Sequence, residues 1–142
     1  MPLLADVNFL VALFHARHAK TAKAVAWLEG QEEARAIAVC RVVQMGVLRV
    51  LTNPAWLGDE VLTAEAVWRA WDSLLADERF VQVEEPARLE PEWRLLTAPF
   101  PAGRCAETDT YLAAFARAGG YRVLTFDRGF GRLDGVDALV LE

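Results

Sequence analysis

Three aspartates stand where apolar runs stop or start. Asp6 closes Pro2-Leu3-Leu4-Ala5, Asp127 closes Val123-Leu124-Thr125-Phe126, and Asp109 lies in the first turn of the helical stretch that precedes the latter run. If the two runs are neighbouring strands, three carboxylates meet at one sheet edge. Like charges held together repel and raise one another's pKa. A divalent cation relieves that conflict, and an all-oxygen donor set suits Mg²⁺ or Mn²⁺. Such an ion activates water and stabilises charge on a phosphate in transfer, so the substrate implied is a phosphodiester. Each acid also has a plainer reading. Asp6 is placed to cap a helix, Asp109 to complement a helix dipole, and Asp127, before Arg128-Gly129, to make a turn.

The elements that must position these acids follow from periodicity. Pro2 to Val7 is a short apolar run of the kind found in buried parallel strands, and Asn8 to Phe14 continues at helical spacing. Lys20 to Leu28 is a helix with Gly30 as its stop. Arg35 to Val39 reads as a strand, Arg41 to Leu51 as a helix ended by Asn53-Pro54, and Thr63 to Leu75 as an amphipathic helix. Phe80 to Val83 is a third strand. Glu84 to Pro101, with four prolines, is the least regular region, with room for a short helix at Glu92 to Leu96. Glu107 to Ala118 is a helix closed by Gly119-Gly120, followed by strands at Arg122 to Phe126 and Ala138 to Leu141. Strands alternating with helices imply an α/β fold with a mostly parallel sheet, whose ligands sit beyond the strand carboxyl ends.

With 142 residues, 54% of them hydrophobic, the chain suits one packed domain over residues 1–142. No run approaches the roughly 18 apolar residues of a membrane span, and the N-terminus lacks a basic region before its first acid. Cys40 and Cys105 show no metal spacing and read as reduced thiols, which points to a cytoplasmic protein. The net charge of −5 argues against a protein that simply coats nucleic acid. It is compatible with an acidic metal site that meets RNA through a local basic patch. Arg17, His18, Lys20 and Lys23 offer such a cluster, or merely a charged inter-helix loop.

Four segments in order carry a resemblance to the PIN-domain family. Leu4-Ala5-Asp6-Val7-Asn8 resembles the family's opening strand into Asp-x-Asn. The stretch from Cys40 through Gln44 to Pro54 is similar to the second-motif helix of the VapC toxins in that family. Asp109-Thr110-Tyr111-Leu112-Ala113 resembles the third motif, and Thr125-Phe126-Asp127-Arg128-Gly129-Phe130 the last. The resemblance implies a three-layer α/β/α sandwich and an endoribonuclease dependent on Mg²⁺ or Mn²⁺. It also implies a homodimer, an RNA substrate and a cognate antitoxin protein that blocks the site. Asp6, Asp109 and Asp127 would then be the metal ligands, with Asn8 and Thr125 orienting them or a bound water.

One position departs from that pattern. The family's second motif usually supplies Glu, and Gln44 stands there. Gln44 shares a helical face with Val47, Leu48 and Leu51, so it is expected to point inward at the site, without a charge. Weaker metal affinity follows, and replacing Gln44 with Glu is expected to tighten it. Glu107 is a partial substitute, or only an exposed residue at a helix start. A PIN-like binding module with impaired catalysis is the alternative, opposed by the retention of three mutually repelling acids. Haloacid-dehalogenase-type phosphatases and response-regulator receivers need a downstream Lys, and none follows Lys23. His15 and His18 lack zinc-site partners and read as surface or loop residues. Trp68 and Trp71, three apart, fit core or dimer packing better than base stacking.

Overall fold

A computed structural model describes residues 1–142. The first strand, β1 (Leu3–Ala5), is the centre of a five-stranded sheet. Three more follow from the expected runs: β2 (Ile37–Val39), β3 (Phe80–Gln82) and β4 (Arg122–Thr125). The fifth, β5 (Ala138–Val140), closes the edge, and the order is β3-β2-β1-β4-β5. All four pairings are parallel, so the expected mostly parallel sheet is wholly so.

Ile37, Ala38 and Val39 are all buried, although successive strand residues point to opposite faces. Both faces of the sheet are therefore covered, which is the three-layer α/β/α arrangement. On the helical layers, α1 (Val7–Phe14) packs against α2 (Thr21–Glu29) and α3 (Arg41–Leu51). Two short pieces, α4 (Pro54–Leu57) and a 3-10 turn at Gly58–Glu60, lead to α5 (Ala64–Ala76), capped by the Thr63 hydroxyl. Later, α6 (Leu89–Thr97) packs on α7 (Glu107–Gly119), which ends at Gly120 in the left-handed region.

The chain builds outward from β1 through β2 to β3, then returns to β4 on the other side of β1. That reversal opens a crevice beyond the carboxyl ends of β1 and β4, where such sheets bind ligands. Close packing holds the crevice wall. A Cβ on Gly46 of α3 would lie 2.6 Å from a methyl of Val7, so only glycine lets α3 approach the start of α1.

Several expectations need adjustment. The first strand stops at Ala5, because the Asp6 carboxylate takes the Val7 N–H and starts α1 there. Around Pro91 the helix runs from Leu89 to Thr97, longer than Glu92 to Leu96. Pro91 falls in its first turn, where a missing N–H costs nothing. Asn53-Pro54 ends α3 as expected but also starts α4, since Asn53 Oδ1 accepts from the Ala55 N–H. His15 follows α1 but is buried rather than on the surface. Its Nε2 meets the Glu60 carbonyl at 2.9 Å and its Nδ1 accepts from the Arg17 N–H. Trp71 is in the core and Trp68 is exposed. No helix is long and apolar enough to cross a membrane.

Candidate active site

Asp6 sits at the end of β1 and is only 6% exposed. One of its oxygens accepts the Val7 N–H at 2.7 Å and the other accepts from the Thr125 hydroxyl at 2.8 Å. Thr125 ends β4, fully buried, and its single proton is committed to Asp6. Its oxygen then accepts from the Asn8 amide at 3.1 Å and from the Asp127 N–H at 2.9 Å. Asn8 Oδ1 in turn accepts the Phe126 N–H at 3.0 Å. Asp6, Asn8, Thr125 and the start of the Asp127 turn are thus one hydrogen-bonded knot across the β1–β4 seam. Parallel pairing of Ala5 with Leu124 makes the knot possible.

Asp127 is exposed and opens a 3-10 turn, Arg128–Arg132, with its carboxylate accepting the Gly129 N–H at 2.7 Å. A Cβ on Gly129 would stand 3.0 Å from that oxygen, so a side chain there would crowd the carboxylate. Asp109 is half-buried in the first turn of α7. The residue before that helix, Ala106, is held at φ +45°, a strained conformation for a residue with a Cβ. Thr110, fully buried, pins this turn: its hydroxyl bonds the Ala106 carbonyl at 2.9 Å and receives the Trp93 indole N–H at 3.0 Å.

Asp6, Asp109 and Asp127 line one cavity of 540 Å³, together with Asn8, His18, Arg49, Trp56 and Thr108. Burial pushes the Asp6 carboxyl up to about 6. Hydrogen bonds from Thr125 and Val7 pull the other way, and the charges of Asp109 and Asp127 add to the rise. Asp109 is raised as well, by burial and then by Asp127. None of the seven ion pairs in the chain involves any of the three. Acids with no ion-pair partner, all oxygen donors, fit a hard divalent cation. The three carboxylates are not arranged as a ready-made set of three ligands around one ion.

Two candidates lie elsewhere. Gln44 is buried on α3, but its carbonyl oxygen accepts from the Arg41 guanidinium and it does not line the carboxylate cavity. Glu107 is exposed, beside the Cys105 thiol at 3.8 Å. The basic cluster is divided: His18 lines the cavity, Arg17 pairs with Glu60, and Lys20 lies 4.9 Å over the Phe126 ring. Arg128 pairs with Glu142 outside the cavity. Sequence reasoning missed Arg49, Trp56 and Thr108. For Trp56 the available signal was Asn53-Pro54, which marks a helix start as well as a stop.

An acidic cavity at the reversal point of a parallel sheet covered on both faces defines the class as a doubly wound α/β protein. The PIN domain family model matches residues 3–136, and the chain belongs to that family. It is 34% identical to Ribonuclease VapC41 of Mycobacterium tuberculosis, with 98% of each chain covered. It is 30% identical to Ribonuclease VapC44 of the same organism, covering 90% of this chain and 87% of the relative. Among solved structures it is similar to Mycobacterium tuberculosis VapC20, a Sarcin-Ricin loop cleaving toxin, at a TM-score of 0.67. That match has 16% identity and covers 96% and 98% of the two chains. The VapBC2 complex of Rickettsia felis bound to a promoter DNA fragment also matches at a TM-score of 0.67, with 14% identity over the whole of both chains.

Proposed function

We propose that this chain is a divalent-metal-dependent endoribonuclease, the toxin of a toxin–antitoxin pair, working as one PIN domain over residues 1–142. The observation that carries this reading is the set of three uncompensated aspartates around one cavity at the β1–β4 seam. The ribonuclease names of relatives aligned over almost the full chain support the substrate class. The solved complex of a VapB with a VapC-like chain supports a proteinaceous antitoxin as partner. A homodimer and a cytoplasmic location belong to the same reading.

Asp6, Asp109 and Asp127 would hold Mg²⁺ or Mn²⁺, which supplies water activation and charge stabilisation on the phosphodiester. The chain's own contribution is geometric. Thr125 and the Val7 N–H orient the two Asp6 oxygens, and exposed Asp127 would supply a further carboxylate from the neighbouring strand end. Asn8 ties the Asp6 side of the seam to the backbone at Phe126, so both strands present their acids together. Arg49 stands in the cavity wall where a phosphate would enter.

A binding module without catalysis is the competing reading, favoured by Gln44 in place of a fourth acid. A thermal melt titrated with Mn²⁺, run beside an RNA cleavage assay, separates the two. Stabilisation by mass action, about 2.7 kcal/mol at a hundredfold excess over Kd, together with metal-dependent cleavage, is expected. No shift at millimolar Mn²⁺ would overturn the enzyme reading.

A further inference from the structure

The five tryptophans are not equivalent. Trp27 packs edge-on against Phe9 at 5.5 Å, Trp71 against Phe14 at 6.3 Å, and Trp93 against Tyr111 at 5.2 Å. Trp56 and Trp68 have no ring partner and are 62% and 43% exposed. Of these two, Trp56 alone lines the cavity that holds Asp6, Asp109 and Asp127. Its backbone is held by the start of α4. Asn53 caps α4 through the Ala55 N–H at 2.9 Å, Pro54 occupies the first helical position, and the Trp56 N–H bonds the Asn53 carbonyl at 3.1 Å. An exposed indole with no ring partner beside a phosphodiester site has its face free for a flat ring.

Arg49 completes the arrangement. It is the only Lys or Arg lining this cavity, it is exposed, and it has no carboxylate partner in a chain with 20 acidic residues. A free guanidinium and a free indole on the wall of an acidic pocket match the two parts of a nucleotide, its phosphate and its base. An indole face stacks on a base only when that base is out of a duplex.

We propose that Trp56 is a stacking platform for an unpaired base beside the scissile phosphate and that Arg49 holds the neighbouring backbone phosphate. This rests on the ribonuclease reading above. It names two positioning residues rather than new chemistry.

The test uses a short labelled single-stranded RNA of mixed sequence and its fully paired duplex. Binding is followed by anisotropy in an Asp6→Asn background, so that the RNA survives. Cleavage is followed with Mn²⁺ in the otherwise unaltered chain. Trp56→Ala is expected to weaken single-strand binding by roughly tenfold or more, and Trp56→Phe by less than about threefold. Arg49→Gln should lower the log–log salt slope by about one. An abasic site stepped along the RNA should reproduce the Trp56→Ala loss at one position and add nothing to it in that variant. Single-strand binding by Trp56→Ala within about twofold of its parent, or duplex binding as tight as single-strand binding, overturns the inference. If the unaltered chain fails to cut any RNA, the ribonuclease reading falls instead, and the binding arms still decide the stacking role. Circular dichroism confirms that these exposed substitutions leave the fold intact.

Discussion

Two cavities of nearly equal volume open at the carboxyl edge of the sheet, 540 Å³ beyond β1 and β4 and 550 Å³ beyond β2 and β3. Size does not choose between them; the burial of a carboxylate does. In the β2–β3 cavity Tyr111 donates its hydroxyl to Glu85 at 2.7 Å, and Arg41 shares the wall with Glu84 and Glu85. Burial, then the neighbouring Glu85, hold the Tyr111 phenol above its ordinary range, so it stays a donor. In the β1–β4 cavity three carboxylates line the wall with none in an ion pair, and the most buried of them is pushed up to about 6. Concavity is common, whereas a carboxylate buried at a strand end without an ion pair is costly and singles out its cavity as the functional candidate.

The comparison is broken most directly at Asp6. Asp6→Asn keeps the helix cap, since Asn caps as well as Asp. It removes a metal ligand and is expected to lower RNA cleavage by more than about a hundredfold and to abolish growth inhibition by the expressed chain. Full toxicity of that variant would refute the site assignment. Thr125→Val comes next. It keeps the volume but unties Asp6, Asn8 and the Asp127 N–H. Cleavage should fall by about 10- to 100-fold and urea unfolding should show a loss of about 1–3 kcal/mol. Glu85→Gln in the other cavity should leave the cleavage rate within about twofold. Equal losses from the two changes would erase the distinction between the cavities.

Metal-free stability should also depend on pH through Asp6. Its folded pKa of about 6 exceeds its unfolded value of 3.8, so the native state binds the extra proton. The penalty is fully present above pH 6 and gone below pH 4. Melts in chelator should therefore show stability rising as pH falls through that window, by up to about 2–3 kcal/mol, with Asp109 acting in the same direction. Asp6→Asn should flatten the trend, and saturating Mn²⁺ should remove it. The smallest effect is expected at Gln44. Because its carbonyl is engaged by Arg41, Gln44→Glu alone should change Mn²⁺ affinity by less than about threefold. The same change combined with Arg41→Ala should tighten binding more, as titration calorimetry would show.

Much of this was readable from residue order. Apolar runs that end in Asp6 and Asp127, a helix opening at Asp109, and Gly120 after the helix all act through local rules of burial, capping and backbone conformation. Thr125 and Asn8 were legible as site residues only through the family resemblance, since nothing local says that they meet. The positions that went astray are those whose side chains had competing partners. His15 lies in the loop after α1 but is buried there against the Glu60 carbonyl, and Gln44 sits on an inward face yet spends its oxygen on Arg41.

Residue order thus settled the alternation of elements and the family to which the chain belongs, and it singled out the three acids as candidates. Only the folded chain decided that residues 117 to 119 positions apart share one hydrogen-bonded knot, and that Trp56 and Arg49 stand beside it. Periodicity records which face of each element is buried. Strand order, and the competition of several polar groups for one partner, are set by contacts between distant segments, and those exist only once β1 lies against β4.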